Sequence, residues 1–248
     1  MTTENGMKLE LPLVRALKKS GVLAEILREK ILSEELREGD SLPSEKEMVE
    51  STGISRASVR EAISLLEAEG LVRTRPGRNG GATVHKPDAQ IMVRPIELLI
   101  RGRKLPFHSI IETREALEPA GAQLAALYRT DGDLEKLDAL CELLESDIEN
   151  VKSYLDANMK WHMAVMQASH NELMIGFIHA LSNIIYSATD IEEFNSLESR
   201  WAVARVHRKV VEAIRARDVD AARRRMERHV QAYSQAVAPH APSKIAIE

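Results

Sequence analysis

The chain has 248 residues, of which 44% are hydrophobic and 29% charged, with a formal net charge of −4. That length suits one large domain or two ordinary ones, each with enough apolar residues to bury a core, and it excludes a disordered chain. The mild acidity argues against a protein that binds nucleic acid over its whole surface. No apolar run is long enough to cross a bilayer. The opening MTTENGMKLE has neither an apolar core nor a cleavage site, so a secretory signal is not expected. A single cysteine, Cys141, cannot form an internal disulfide, which fits a reducing cytoplasm and reads as an ordinary helix residue rather than a redox centre.

In chain order, residues 1–19 read as a flexible leader. Val22 to Leu36 predicts a helix, with Val22, Ile26, Leu27, Ile31 and Leu32 on one side and Glu25, Arg28 and Glu29 on the other. Gly39, in the turn Arg37-Glu38-Gly39-Asp40, reads as its stop. Ser44 can cap a second helix, with Glu47 completing a capping box. Thr52-Gly53-Ile54 breaks that helix, and Ser55 can cap a third in which Val59, Ile63 and Leu66 recur at helical spacing. The opening turn of this third helix carries Ser55, Arg56, Ser58 and Arg60 on its outward face. Hydroxyls and arginines there are what a DNA-reading helix-turn-helix requires.

Gly70 ends that helix. Leu71-Val72-Arg73-Thr74 and Ala82-Thr83-Val84 alternate as paired strands would, and Gly77 to Gly81 form a turn-rich tip. Three helices and a β-hairpin make a winged helix. From Ser51 to Lys86 the charge is +3, five Arg and one Lys against three Glu, a local basic patch on an acidic chain. Glycine at the tip lets the backbone approach a groove while Arg78 meets phosphate or a minor-groove edge.

Leu42-Pro43-Ser44-Glu45, Ser55-Arg56, Val59-Arg60-Glu61-Ala62, Leu66 and Gly70-Leu71, followed by the Gly-rich hairpin, resemble the N-terminal domain of the GntR family of bacterial transcription regulators. The resemblance covers residues 20–86. It implies Arg56 and Arg60 as principal DNA contacts, with Lys46, Ser55, Ser58, Gly77 and Arg78 beside them. An arginine at the N-terminal end of such a helix can fork onto guanine O6 and N7.

Residues 87–106 read as a linker that includes a short helix from Ile91 to Ile100. Beyond it no strand pattern occurs. About six helices are expected, near 107–129, 133–149, 151–169, 171–188, 196–216 and 218–237, with starts at Asp133, Asn171 and Asp218, and a tail over 238–248. The predicted fold class is mainly α: a winged helix-turn-helix followed by an all-α antiparallel bundle.

Three of these helices place polar residues where apolar ones belong. Asn158 and His162 are four apart on one face, His207 interrupts the stripe Val203, Val210, Ile214, and His229 interrupts Ala222, Met226, Tyr233. A single inward histidine is ordinarily a satisfied core residue; three, with an adjacent Asn, point to a divalent metal held in a bundle core. His85, His108, His170, His179 and His240 show no such arrangement.

Arg114 to Glu118, Asn158, His162, Asn171, His207 and His229 also resemble the FCD effector domain of the FadR subfamily, over residues 107–237. The resemblance implies Asn158, His162, His207 and His229 as ligands of a divalent transition metal, zinc first and nickel or manganese as alternatives. It implies Arg114 as the residue that steadies a small organic acid. Asn158 stands where many members have Asp, a neutral and weaker ligand.

The function expected is that of a cytoplasmic transcription regulator, most often a repressor in this family, that binds a palindromic operator as a homodimer under control of a small carboxylate. Two alternatives are a metal sensor without an organic effector and a metal-dependent hydrolase fused to a DNA-binding head. No His-Glu-x-x-His helix is present, and no acidic residue stands beside the ligands on the third bundle helix as a general base, so an enzyme is not expected.

Overall fold

The computed structural model describes residues 18–75, 81–189 and 196–237. The leader up to residue 17, the hairpin tip with Gly77 and Arg78, and the tail from 238 lie outside the described residues. The chain divides into two compact units, Met1–Pro87 and Asp88–Glu248.

The first unit holds α1 (Lys19–Leu32), α2 (Glu45–Thr52), α3 (Arg56–Ala68) and an antiparallel pair, β1 (Val72–Arg75) and β2 (Gly81–Val84), in the register Val72 with Val84. α2 begins at the expected capping box, Ser44 and Glu47 each satisfying the other's backbone N–H. It ends at Gly53, whose φ of 66° is a left-handed conformation that costs glycine nothing.

α1 departs from expectation in two ways. It ends at Ser33 with Glu34 left-handed, so Gly39 shapes a later turn in which its N–H donates to Val84. The buried face carries Leu23, Ala24, Leu27 and Ile31, while Val22, Ile26 and Leu32 are exposed. The stripe is rotated because its packing partner is α3, whose Val59, Ala62, Ile63 and Leu66 are buried in the same core. Glu67 ties the hairpin to α3, accepting hydrogen bonds from the Thr74 N–H and hydroxyl.

The second unit holds α4 (Val93–Arg103), α5 (Phe107–Tyr128), α6 (Asp131–Ser146), α7 (Val151–Ala168), α8 (Glu172–Thr189), α9 (Leu197–Arg215) and α10 (Val219–Val237). The segment read as a linker carries a 3-10 turn, Ala89–Met92, and α4, both packed on α8. Gly176 permits that approach: a Cβ there would sit 3.1 Å from the Ala89 carbonyl oxygen and closer still to the Met92 sulfur. The start of α6 moves back from Asp133 to Thr130, which caps it in a reciprocal box with Asp133, so Gly132 lies inside the first turn. Asn171 and Asp218 cap α8 and α10 as expected, accepting from Met174 and Ala221.

α5 packs against α7, α8, α9 and α10, and α6 lies against α7 and α9. The main core gathers Leu137, Leu144, Leu155, Trp161, Ile214 and Met226, all under 2% exposed or nearly so. Each such side chain contributes about 1.5–3 kcal/mol by leaving water. Among the described residues no helix is long and apolar enough to cross a membrane.

Candidate functional site

Two places gather the residues singled out in the sequence. In the first unit, Ser55 caps α3 by accepting from the Ser58 N–H, and the two hydroxyls lie 3.0 Å apart. Arg56 is exposed with no partner among the described residues, at a helix end whose free N–H groups already favour phosphate. Arg60 is exposed too, but Glu45 of α2 grips it: Nε lies 2.9 Å from both carboxylate oxygens. That contact uses the inner edge of the guanidinium and orients its two Nη groups. Lys46 is a surface residue 3.7 Å from Glu50. The sequence reading missed Glu45 as the residue that orients Arg60, and it missed Arg73 and Arg75, both exposed on β1. The signal was present, since residues two apart on a strand share a face.

In the second unit, α7, α9 and α10 bring His162, His207 and His229 together, with one ring nitrogen from each inside a 4.8 Å sphere of mutual distance. The Nε2 atoms of His207 and His229 are 3.1 Å apart, and those of His229 and His162 are 3.3 Å apart. His207 is fully buried and stacks on Trp161 at 3.7 Å between ring centres, an interaction that fixes its ring plane.

Burial pushes the His162, His207 and His229 imidazoles below their ordinary range, those of His207 and His229 well below it, so all three are neutral at pH 7. The nearby Arg114 guanidinium adds to the effect, and for His162 the Glu118 carboxylate works against it.

Beneath His162 lies a buried ion pair. Arg114 Nε donates to Glu118 Oε1 at 2.6 Å, and Glu118 Oε2 lies 2.8 Å from His162 Nδ1. Burial alone would raise the Glu118 carboxyl, but Arg114 and His162 together hold it well below the usual carboxylate range. An ionised carboxylate only accepts, so the His162 proton must sit on Nδ1 and its Nε2 carries a lone pair. Arg114 Nη2 lies 3.0 Å from that Nε2 and is a donor to it, and the Arg114 guanidinium rests 4.6 Å over the Tyr233 ring. Glu118 was quoted in the sequence only as part of a motif. Its spacing of four from Arg114 on a helix was the signal that the two form a pair.

These residues fit a divalent cation. Each Nε2 carries either a proton or a lone pair, so neutral imidazoles cannot satisfy both close contacts with good hydrogen bonds. A cation facing three lone pairs satisfies them together, taking the place of the Arg114 Nη2 hydrogen bond to His162 Nε2. Nitrogen ligands 2.0–2.1 Å from a tetrahedral ion lie about 3.4 Å from one another, close to the spacing found here. The carboxylate–histidine pair at Glu118 and His162 is the usual outer support of such a ligand. Asn158 sits one turn before His162, and its buried Oδ1 has no hydrogen-bond partner, an oxygen with a free lone pair.

A cavity of about 650 Å³ opens onto Arg114, Asn158, His162 and His229, and among the described residues no Asp or Glu lines it. A head that presents arginines from a winged helix, in one chain with a helical bundle, defines a DNA-binding regulator.

Residues 19–82 match the model of the bacterial regulatory proteins of the gntR family, and residues 109–232 match the FCD domain. The chain belongs to the GntR family of DNA-binding transcription regulators, with an FCD effector domain, and not to a family of enzymes. It is 30% identical over 222 residues to the L-lactate dehydrogenase operon regulatory protein of Escherichia coli K12, covering 85% of this chain and 83% of that protein. It is 34% identical over 154 residues to the regulator LutR of Bacillus subtilis, covering 61% and 68% of the two chains. The solved structure of a GntR protein from Streptococcus agalactiae shares the fold at a TM-score of 0.64 and 23% identity, over 88% of this chain and 99% of that one.

Proposed function

We propose that this regulator binds a palindromic operator as a homodimer and that a small carboxylate, held at a divalent metal in the bundle, controls its affinity. The observation that carries the proposal is the convergence of three neutral histidines, of which His162 and His229 reach a cavity that no described acidic residue lines. Asn158, His162, His207 and His229 would hold the ion, and its charge would attract a carboxylate oxygen. Because Asn158 is neutral, the ligand set adds no negative charge, which makes the pocket more demanding of an anion. Arg114, fixed by Glu118, steadies the acid from the side of α5.

In the head, Arg56 and Arg60 are the principal DNA contacts, supported by Lys46, Ser55 and Ser58 and, in the hairpin tip, by Gly77 and Arg78. Repression is the expected sense, as in the relative named transcriptional repressor NanR from Enterobacter. An activator, named for the Glc operon of Escherichia coli, stands among the relatives as well. By linkage the acid must bind the free and DNA-bound forms with different affinity.

Promoter DNA titrated with the purified protein, first with metal or chelator and then with candidate acids, tests this reading. Acid is expected to shift operator affinity at least tenfold in the metal-loaded protein. His207→Ala should retain DNA binding and lose the shift. A metal-free protein that still answers its acid would sink the metal pocket, and a shift produced by metal alone would make the ion itself the signal.

A further inference from the structure

The cavity that reaches the histidines is larger than a small monocarboxylate needs. Its 650 Å³ equals the liquid volume of roughly twenty waters. Arg114, His162 and His229 form one end. The other is bounded by Tyr154 and Arg200, whose own elements meet where the Tyr154 hydroxyl approaches the Arg200 carbonyl at 3.5 Å. Tyr154 and His162 are eight positions apart on α7, and Arg200 and His207 are seven apart on α9. At 1.5 Å per residue the two ends are about 10–12 Å apart along the helices.

Arg200 is the anomaly. It and Arg114 are the buried arginines among the described residues, at 7% and 3% exposure. Arg114 has Glu118. Arg200 has no carboxylate within ion-pairing distance among the described residues. Its guanidinium makes one hydrogen bond, Nη1 to the Glu149 carbonyl at 3.3 Å, and its Nε is buried without an acceptor. It stands 5.9 Å from the Tyr154 ring centre. A charge taken out of water without a counter-ion is costly, and such a group persists where something else supplies the opposite charge. Lys209, Arg225 and Arg228 line the same cavity, so its described lining carries basic and no acidic side chains.

We propose that the effector is an elongated dianion in the sense of two anionic groups, one carboxylate at the histidine and Arg114 end and a second group, carboxylate or phosphate, at Arg200, a phosphate itself bearing up to about two charges. This rests on the carboxylate-effector reading and narrows it to two chemical classes, the α,ω-dicarboxylates and the phosphorylated carboxylic acids. A short monoacid leaves Arg200 without a counter-charge, and a dianion neutralises both ends at once.

Calorimetric titration of the full-length, zinc-loaded protein tests it with three series: propionate to hexanoate, succinate to pimelate, and phosphoglycolate with 3-phosphoglycerate. At least one dianion series should bind tighter than the length-matched monoacid by ~10- to 100-fold, the range for a hydrogen-bonded charge. Which of the two series does so separates carboxylate from phosphate. Arg200→Gln should bring the dianion down to the monoacid level. Arg228→Gln combined with Lys209→Gln, both at exposed helical positions, should reduce the preference without threatening the fold. Equal affinity for monoacids and dianions, or a preference that survives Arg200→Gln in folded protein, overturns the dianion assignment and leaves the effector reading standing. If no acid binds and operator affinity answers none of them, both readings fall.

Discussion

Glu118→Gln removes one negative charge from a place where almost nothing else can replace it. The Glu118 and Arg114 side chains are 2% and 4% exposed, and one carboxylate serves both Arg114 and His162. Glutamine keeps the shape but offers one oxygen, so either Arg114 Nε–H or His162 Nδ1–H loses its acceptor. It also leaves the guanidinium buried without a counter-charge. Breaking a buried pair in this way costs on the order of 3–5 kcal/mol, which for a domain of this size lowers the melting temperature by ~6–20 °C.

The second consequence is chemical. If the new amide N–H donates to His162 Nδ1, the ring proton moves to Nε2 and that atom can no longer bind a cation. Loss of such an outer partner weakens metal binding by ~10- to 100-fold. Calorimetric melting of the metal-free protein reads the first effect, and zinc titration against a chromophoric chelator reads the second. Pairing the change with Arg114→Met, which removes the stranded charge, should recover much of the lost stability. A Glu118→Gln protein that melts within ~2 °C of the parent and binds zinc as tightly would refute both the buried-pair and the tautomer arguments.

Further outcomes follow from the head and the core. Arg60→Ala should cost about 1–3 kcal/mol of specific operator binding, and Glu45→Gln should lower specificity by releasing the Arg60 side chain. A change confined to the salt dependence would instead assign Arg60 to phosphate. The metal-free protein should lose stability on acidification. His162, His207 and His229 are depressed by burial, so their stabilising contribution is complete above about pH 6.5 and declines as pH falls toward the folded-state values, by up to ~1.4 kcal/mol per pH unit for each ring. A melting temperature that is flat from pH 7 to 5.5 after chelation would contradict this. Burial raises the Cys141 thiol to about 11, so iodoacetamide at pH 8 should leave it unmodified in native protein and alkylate it in urea; rapid native labelling would show that the core around it opens.

What the sequence determined by itself was everything carried by local chemistry and periodicity. The Ser44 and Glu47 capping box, Gly53 and the Ser55 cap are short-range hydrogen-bond devices, and each reappears where its spacing placed it. The bundle helices were legible for the same reason, since apolar residues at a 3.6-residue period need only the chain itself to be recognised. That His162, His207 and His229 point inward could be read from their stripes, because each interrupts an apolar face.

Only the tertiary structure decided what those faces meet. Val22, Ile26 and Leu32 look as apolar as Leu23 and Leu27, and the side of α1 that is buried depends on where α3 lies. Residues 87–106 read as a linker until α8 supplies a surface for α4. Glu118 and Arg114 are an ordinary helical pair in sequence; that their charges are buried and turned on His162 follows from the packing of α5 against α7. Arg200 gave no signal at all, because the lack of a counter-ion among the described residues is a property of the space around it and not of its neighbours in the chain.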